Sequence, residues 1–302
     1  MAAQWSVLAL GCQLLLAAAL AATLAAGFAL SGATIAVLTV GEVYVVALLL
    51  AAVPLALSRS PLPGASRHAR IRYTLRALFS DALAFEIAMG RMALEPCRGV
   101  AHPAVESSPQ VRRPVLLVHG FGCSRAVWRP LLARLRAAGI GPVRAVSLEP
   151  LFAGMETYAG QLLDELEALG SADAGHPVTI VAHSMGGLVA RAALRRARPG
   201  LVGRIVTIGT PHHGTALACR FGWPGARQMC PGSSWLEELN ACQEARLGIP
   251  VTTLYSLDDN YVVPARSARF RGARTVELQG LGHLGLLVSK RVLDNVMSEL
   301  LT

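Results

Sequence analysis

A serine, then an acid, then a histidine, in that chain order, can turn a hydroxyl into a nucleophile. The serine here is Ser184, in Val178-Thr179-Ile180-Val181-Ala182-His183-Ser184-Met185-Gly186-Gly187. An apolar β-branched run stops at a polar pair, and two glycines precede a helix-forming stretch, which predicts strand, tight turn and helix with the serine at the apex. Backbone at such an apex is strained, and only small neighbours let strand and helix approach. The turn lifts the hydroxyl clear of the sheet and puts the next N–H at a helix N-terminus, which favours negative charge. At neutral pH the hydroxyl needs a base, and the base an orienting acid. Of eight histidines only His283 follows position 213, in Gly280-Leu281-Gly282-His283. Before it, the strand-like residues 251–255 lead into Ser256-Leu257-Asp258-Asp259-Asn260-Tyr261-Val262, with two adjacent candidate acids.

Attack on an acyl carbonyl creates a tetrahedral oxyanion, best stabilised by preorganised N–H donors in a dry site. Met185, directly after the serine, supplies one. Phe121 is expected to supply the other, in the turn His119-Gly120-Phe121-Gly122 that follows the buried run Val115-Leu116-Leu117-Val118.

These groups must be held by a scaffold. Strands are expected at 115–118, 143–147, 178–182, 204–208, 251–255 and 274–278, with helices at 128–138, 156–169, 185–197 and 286–300. Alternating strands and helices predict an α/β fold with a mostly parallel sheet. Acid after one strand and histidine after the next is the layout that a triad needs.

Over about residues 112–300 the chain resembles an α/β-hydrolase of the bacterial lipase group. The resemblance rests on Val118-His119-Gly120-Phe121-Gly122, Ala182-His183-Ser184-Met185-Gly186-Gly187, Gly209-Thr210-Pro211-His212-His213-Gly214-Thr215 and Gly280-Leu281-Gly282-His283-Leu284-Gly285. It implies an α/β-hydrolase fold and cleavage of carboxylic esters, lipid or acyl esters among them, through an acyl-enzyme. Ser184 would be the nucleophile, His283 the base, and the backbone of Phe121 and Met185 the oxyanion hole, with no cofactor and no metal. Among the acids it favours Asp259, because Asp259-x-x-Val262 matches the acid loop of that fold; Asp258 then caps the loop. An acyltransferase or lipid deacylase using the same triad is the alternative, and a non-catalytic membrane scaffold or transporter component a third reading. Unlike compact lipases, the chain carries an insertion at about 215–249, with Phe221, Trp223, Met229 and Trp235. It reads as a lid or acyl-pocket wall, or else as a structural excursion. His212 and His213 lack a carboxylate or cysteine at ligand spacing, so a turn role is preferred to metal binding.

The N-terminal stretch bears on location. Residues 7–30 carry no charge and 33–57 only Glu42; each run reaches the roughly 20 residues that a membrane-crossing helix needs. Residues 1–58 therefore read as a transmembrane hairpin (about 5–30 and 33–57) broken at Ser31-Gly32, its small residues allowing close packing. A cleaved signal peptide is disfavoured, since the first arginine is Arg59 and the first run is too long. Glu42, by default functional at membrane depth, is read as reaching the interface. Arg59, Arg67, Arg70, Arg72 and Arg76, with no acid before Asp81, keep that flank cytoplasmic by the positive-inside rule. The expected location is a bacterial inner membrane with the catalytic domain (111–302) facing the cytoplasm.

Residues 59–110 form a basic linker and an amphipathic helix. There Ile71, Leu75, Leu78, Phe79, Ala82 and Phe85 recur at helical spacing, either to lie on anionic headgroups or to pack as an outer helix. The net charge of +9 comes without a recognition motif, so nucleic acid is not an expected partner; protein partners are unknown. Cys12, Cys97, Cys123, Cys219, Cys230 and Cys242 show no Cys-x-x-Cys spacing. They are expected as reduced thiols on the cytoplasmic reading, whereas an external domain would make Cys219, Cys230 and Cys242 disulfide candidates.

Overall fold

The computed structural model describes residues 76–77, 79–85, 87–88, 112–172, 175–243 and 248–301. The two charge-poor runs and most of the linker lie outside them. Among the described residues no helix is long and apolar enough to cross a membrane.

Six strands form one parallel sheet: β1 (Arg112–Val118), β2 (Gly141–Val146), β3 (Val178–His183), β4 (Val202–Ile208), β5 (Val251–Ser256) and β6 (Arg274–Leu278). Their spatial order is β2-β1-β3-β4-β5-β6. Strands covered on both faces read as near-continuous apolar runs, and the period of two sorts their side chains between the layers. Leu116, Val118, Ile180 and Ala182 pack with α2 (Met155–Ala172) and α3 (Met185–Leu194). Val115, Leu117 and Val181 pack on the other side with α1 (Arg129–Ala137) and α7 (Lys290–Leu301). Helix α2 shows why it is a helix: Met155, Tyr158, Ala159, Leu162, Leu166 and Leu169 are all buried, spaced to line one face. The helix expected at 286–300 is broken instead. Ser289 is extended (ψ 124°) between α6 (Gly285–Val288) and α7, and its carbonyl accepts from Leu293 N–H at 2.9 Å.

Between β4 and β5 the insertion holds two helices, α4 (Pro224–Gln228) and α5 (Ser234–Gln243). Buried Arg191 of α3 ties this region to the sheet: its guanidinium donates to Asn240 Oδ1 at 2.7 Å and lies 4.5 Å from the Phe270 ring centroid. Cys219 and Cys230 are joined by a disulfide, Cα–Cα 5.0 Å. That corrects the expectation of reduced thiols throughout; Cys123 and Cys242 are free.

The described residues between 76 and 88 are helical. Their buried positions are Ala77, Asp81, Ala82, Ala84 and Ala88, whereas Phe79 and Leu83 are exposed. Ala88 joins the apolar cluster of α1 and α7. Of the expected apolar stripe, Ala82 is thus buried and Phe79 exposed, while Ile71, Leu75 and Leu78 lie outside the described residues. The helix comes close to the turn of Gly282, where a Cβ would lie 2.3 Å from Asp81 Cγ.

Candidate active site

Ser184 occupies the step from β3 to α3 at φ 55° and ψ −130°, the one positive φ among the described non-glycine residues. A non-glycine residue there is strained, and strain of this kind persists only where its surroundings over-determine it. The surroundings are glycines. A Cβ on Gly186 would stand 2.5 Å from His119 O, and one on Gly187 2.1 Å from Thr210 Oγ1. The turn therefore closes only because both positions lack side chains. Met185 is the first residue of α3, so its N–H precedes the first intrahelical bond and is free to meet an anion.

The second expected donor arrives from β1. A Cβ on Gly120 would be 2.7 Å from Ser184 Cβ, so the loop carrying Phe121 runs directly against the serine. His119 anchors this loop. Its Nδ1–H donates to Gly120 O at 2.7 Å, while Nε2 accepts from Leu148 N–H at 3.0 Å. Strand order reverses between β1 and β3, and open α/β sheets place ligands at that switch point, beyond the carboxyl ends of the strands.

His283 Nδ1 and Asp259 Oδ2 are 2.8 Å apart, both residues buried. Asp259 Oδ1 accepts from the N–H groups of Tyr261 and Val262, each at 2.9 Å, so its carboxylate is locked in one orientation. Asp258 turns elsewhere and accepts from Gly280 N–H at 2.6 Å. Burial works against the His283 imidazolium, but the charge and hydrogen bond of Asp259, with Asp81 adding, outweigh it and leave its pKa raised. His183, on the strand before the serine, has its ring 4.6 Å from that of His283 and donates through Nε2 to His283 O at 3.2 Å. Burial holds His183 well below the usual imidazole range, with the His283 charge adding, so it is a weaker base than His283, whose pKa is raised.

An aromatic cluster borders the loop of Phe121. Phe121 stacks on Trp223 at 4.7 Å, Trp223 contacts Phe152 at 5.6 Å, and Phe221 lies 4.8 Å from Trp223. Leu151 and Phe152 are exposed. The insertion thus contributes apolar surface beside Phe121, one of the two expected oxyanion donors. Among the described residues no group of His, Cys, Asp or Glu could hold a metal ion. His212 is engaged otherwise, with Nδ1 at 3.3 Å from Arg191 and Nε2 at 3.1 Å from Thr207 Oγ1.

Three residues at this site went unanticipated. Asn260 accepts from His283 N–H at 2.9 Å, and Ser80 and Asp81 hold the same turn from the upstream helix. A signal for Asp81 did exist, since it is the lone acid on an alanine face, Ala77-x-x-x-Asp81-x-x-Ala84-x-x-x-Ala88.

Residues 115–241 match the model of the alpha/beta hydrolase family. A triacylglycerol lipase of Burkholderia plantarii is 31% identical over 160 residues, which cover 50% of this chain and 44% of that lipase. The chain thus spans less than half the length of this relative. Among solved structures, the mature form of a Bacillus licheniformis lipase superposes with a TM-score of 0.57 at 20% identity, covering 66% of this chain and 95% of that one. An Aspergillus fumigatus lipase B gives 0.56 at 18% identity, covering 65% and 56%. With its six-stranded parallel sheet flanked by helices, the chain has the α/β-hydrolase fold, and over about half of its length it is similar to a triacylglycerol lipase.

Proposed function

We propose that the protein is a membrane-anchored serine hydrolase that cleaves carboxylic esters with apolar acyl groups. The observation that carries this reading is the pairing of His283 with Asp259 at 2.8 Å, together with a serine held at φ 55° in the step from β3 to α3. Ser184 Oγ attacks the ester carbonyl carbon and passes its proton to His283 Nε2. Asp259 keeps Nδ1 as the donor side of the ring and stabilises the imidazolium. The N–H groups of Phe121 and Met185 take the oxyanion. Collapse expels the alcohol, which leaves with the proton from His283. Water then attacks the acyl-enzyme by the same route, releasing the carboxylic acid.

Apolar acyl groups are supported by the cluster of Phe121, Phe152, Phe221 and Trp223. The similarity to lipases supports lipid esters as the substrate class. Anchoring through residues 1–58 rests on their two charge-poor runs, and a cytoplasmic-facing domain on the arginines that follow.

The test uses full-length protein in detergent with p-nitrophenyl esters of short and long acyl chains. Wild type is expected to turn over and to react with a fluorophosphonate, with preference for longer chains. Ser184→Ala should lose on the order of 10⁴-fold or more in kcat and all labelling. A wild type inert to both reagents ends the proposal.

A further inference from the structure

The reaction described above makes no use of one buried acid, Asp81, which is 1% exposed. Three backbone N–H groups of the turn carrying His283 are held from two other parts of the chain. Gly282 N–H donates to Ser80 Oγ at 3.1 Å, His283 N–H to Asn260 Oδ1 at 2.9 Å, and Gly285 N–H to Asp81 Oδ1 at 2.9 Å. A Cβ on Gly282 would meet Asp81 Cγ at 2.3 Å, and one on Gly285 would meet Ser80 Oγ at 2.5 Å. Asp81 Oδ2 is buried without a hydrogen bond among the described residues. A carboxylate serving only to fill this space would be better replaced by an amide or an apolar group, since burying a half-satisfied charge is costly.

We propose that Ser80 and Asp81 form a positioning clamp on the catalytic histidine, in which Asp81 fixes the 282–285 turn and presents a second carboxylate to the imidazolium. The clamp rests on His283 acting as the base. It makes the helix upstream of the sheet a positioning element of the active site.

The groups facing the imidazole are Asp259, Asp81, His183, and Tyr261 at 5.1 Å between rings. Those facing Asp81 are His283, Asp259, Asn260 and Tyr261. Burial pushes Asp81 up to about 6, against the Gly285 N–H and the His283 charge, which lower it. Above that pH its charge favours the imidazolium that forms as Ser184 loses its proton. The same charge is carried at a cost to the fold: an acid with a raised folded pKa loses stability as pH rises from its ordinary value to the raised one.

Full-length wild type is compared with Asp81→Asn, Asp81→Ala and Ser80→Ala. The readouts are pH–rate profiles, melting at pH 8, and NMR titration of the His283 imidazole in a Ser184→Ala background. Asp81→Asn keeps the acceptor for Gly285 but not the charge. It should move the acid limb of kcat/KM, and the imidazole titration, down by roughly half a pH unit or more, while melting no lower than wild type at pH 8. Asp81→Ala should show the same shift with a loss of about tenfold in kcat and little change in KM; Ser80→Ala should lose a few-fold in kcat. An acid limb and an imidazole titration that stay in place in Asp81→Asn overturn the proposal, whatever happens to melting. A wild type without turnover or fluorophosphonate labelling ends the hydrolase reading instead, and the imidazole titration then decides the clamp by itself.

Discussion

Two adjacent acids do different work because the backbone sends them apart. Asp259 reaches the imidazole while its second oxygen takes two backbone N–H groups; Asp258 holds the turn ahead of His283 through Gly280. Asp259→Asn would offer an amide where the ring needs an acceptor, favouring the wrong tautomer. The expected loss is about 10⁴-fold in kcat, with KM and melting near wild type. Asp258→Asn should instead cost about 1 kcal/mol of stability and leave kcat within a few-fold. Steady-state kinetics and denaturant melts on the two variants check this, and the opposite pattern would move the acid to Asp258. His283 must be neutral to take the serine proton, and its pKa is raised. The rate should therefore fall as pH drops through a titration above the ordinary imidazole value. Residue types alone could not separate the two acids. A loop has no periodicity, and the choice depends on which carboxylate the following N–H groups capture.

The strand ends are held together by close backbone approach. The end of β1 and the loop after it press on the serine turn and α3 through Gly120 and Gly186, and the loop after β4 presses on α3 through Thr210 and Gly187. Gly120→Ala puts a methyl 2.7 Å from Ser184 Cβ, and neither backbone can yield without moving the nucleophile or the Phe121 donor. The expected result is a drop of about 10²-fold in kcat with the circular dichroism spectrum kept. A variant with wild-type kcat would show that this contact does not position the serine. The strands and the serine turn were legible because β-branched runs such as Val178-Thr179-Ile180-Val181 have few other fates, and because paired glycines after a serine mark a tight step. The buried face of the upstream helix was not. Apolar spacing put Phe79 and Ala82 on one stripe, whereas Ala82 is buried and Phe79 exposed, and Ser80 and Asp81 are the residues that meet the glycines of the His283 turn. The Cys219–Cys230 bond was legible only as one option among three cap cysteines, and for an external domain alone, since pairing depends on how the insertion folds back across the intervening residues.

At the scale of the whole molecule two demands compete. The proposed orientation, argued from the arginine-rich flank of the charge-poor runs, would put residues 111–302 in the cytoplasm, where thiols are kept reduced. The Cys219–Cys230 bond, whose partners are 11 residues apart, belongs to an oxidising compartment. Closing a loop of that size stabilises a fold by up to about 3 kcal/mol, so the cap should be held less firmly in a reducing cell than in oxidised purified protein. On the proposed cytoplasmic face, acid trapping of intact cells followed by alkylation should label Cys219 and Cys230 as fully as exposed Cys242. Protease should then cleave the domain in inverted vesicles and spare it in spheroplasts. Recovery of the 219–230 cross-linked peptide from trapped cells, together with cleavage in spheroplasts, would place Ser184 on the outer face. The arginines would then have to be explained by something other than orientation, such as contact with anionic headgroups beside the exposed Phe79 and Leu83.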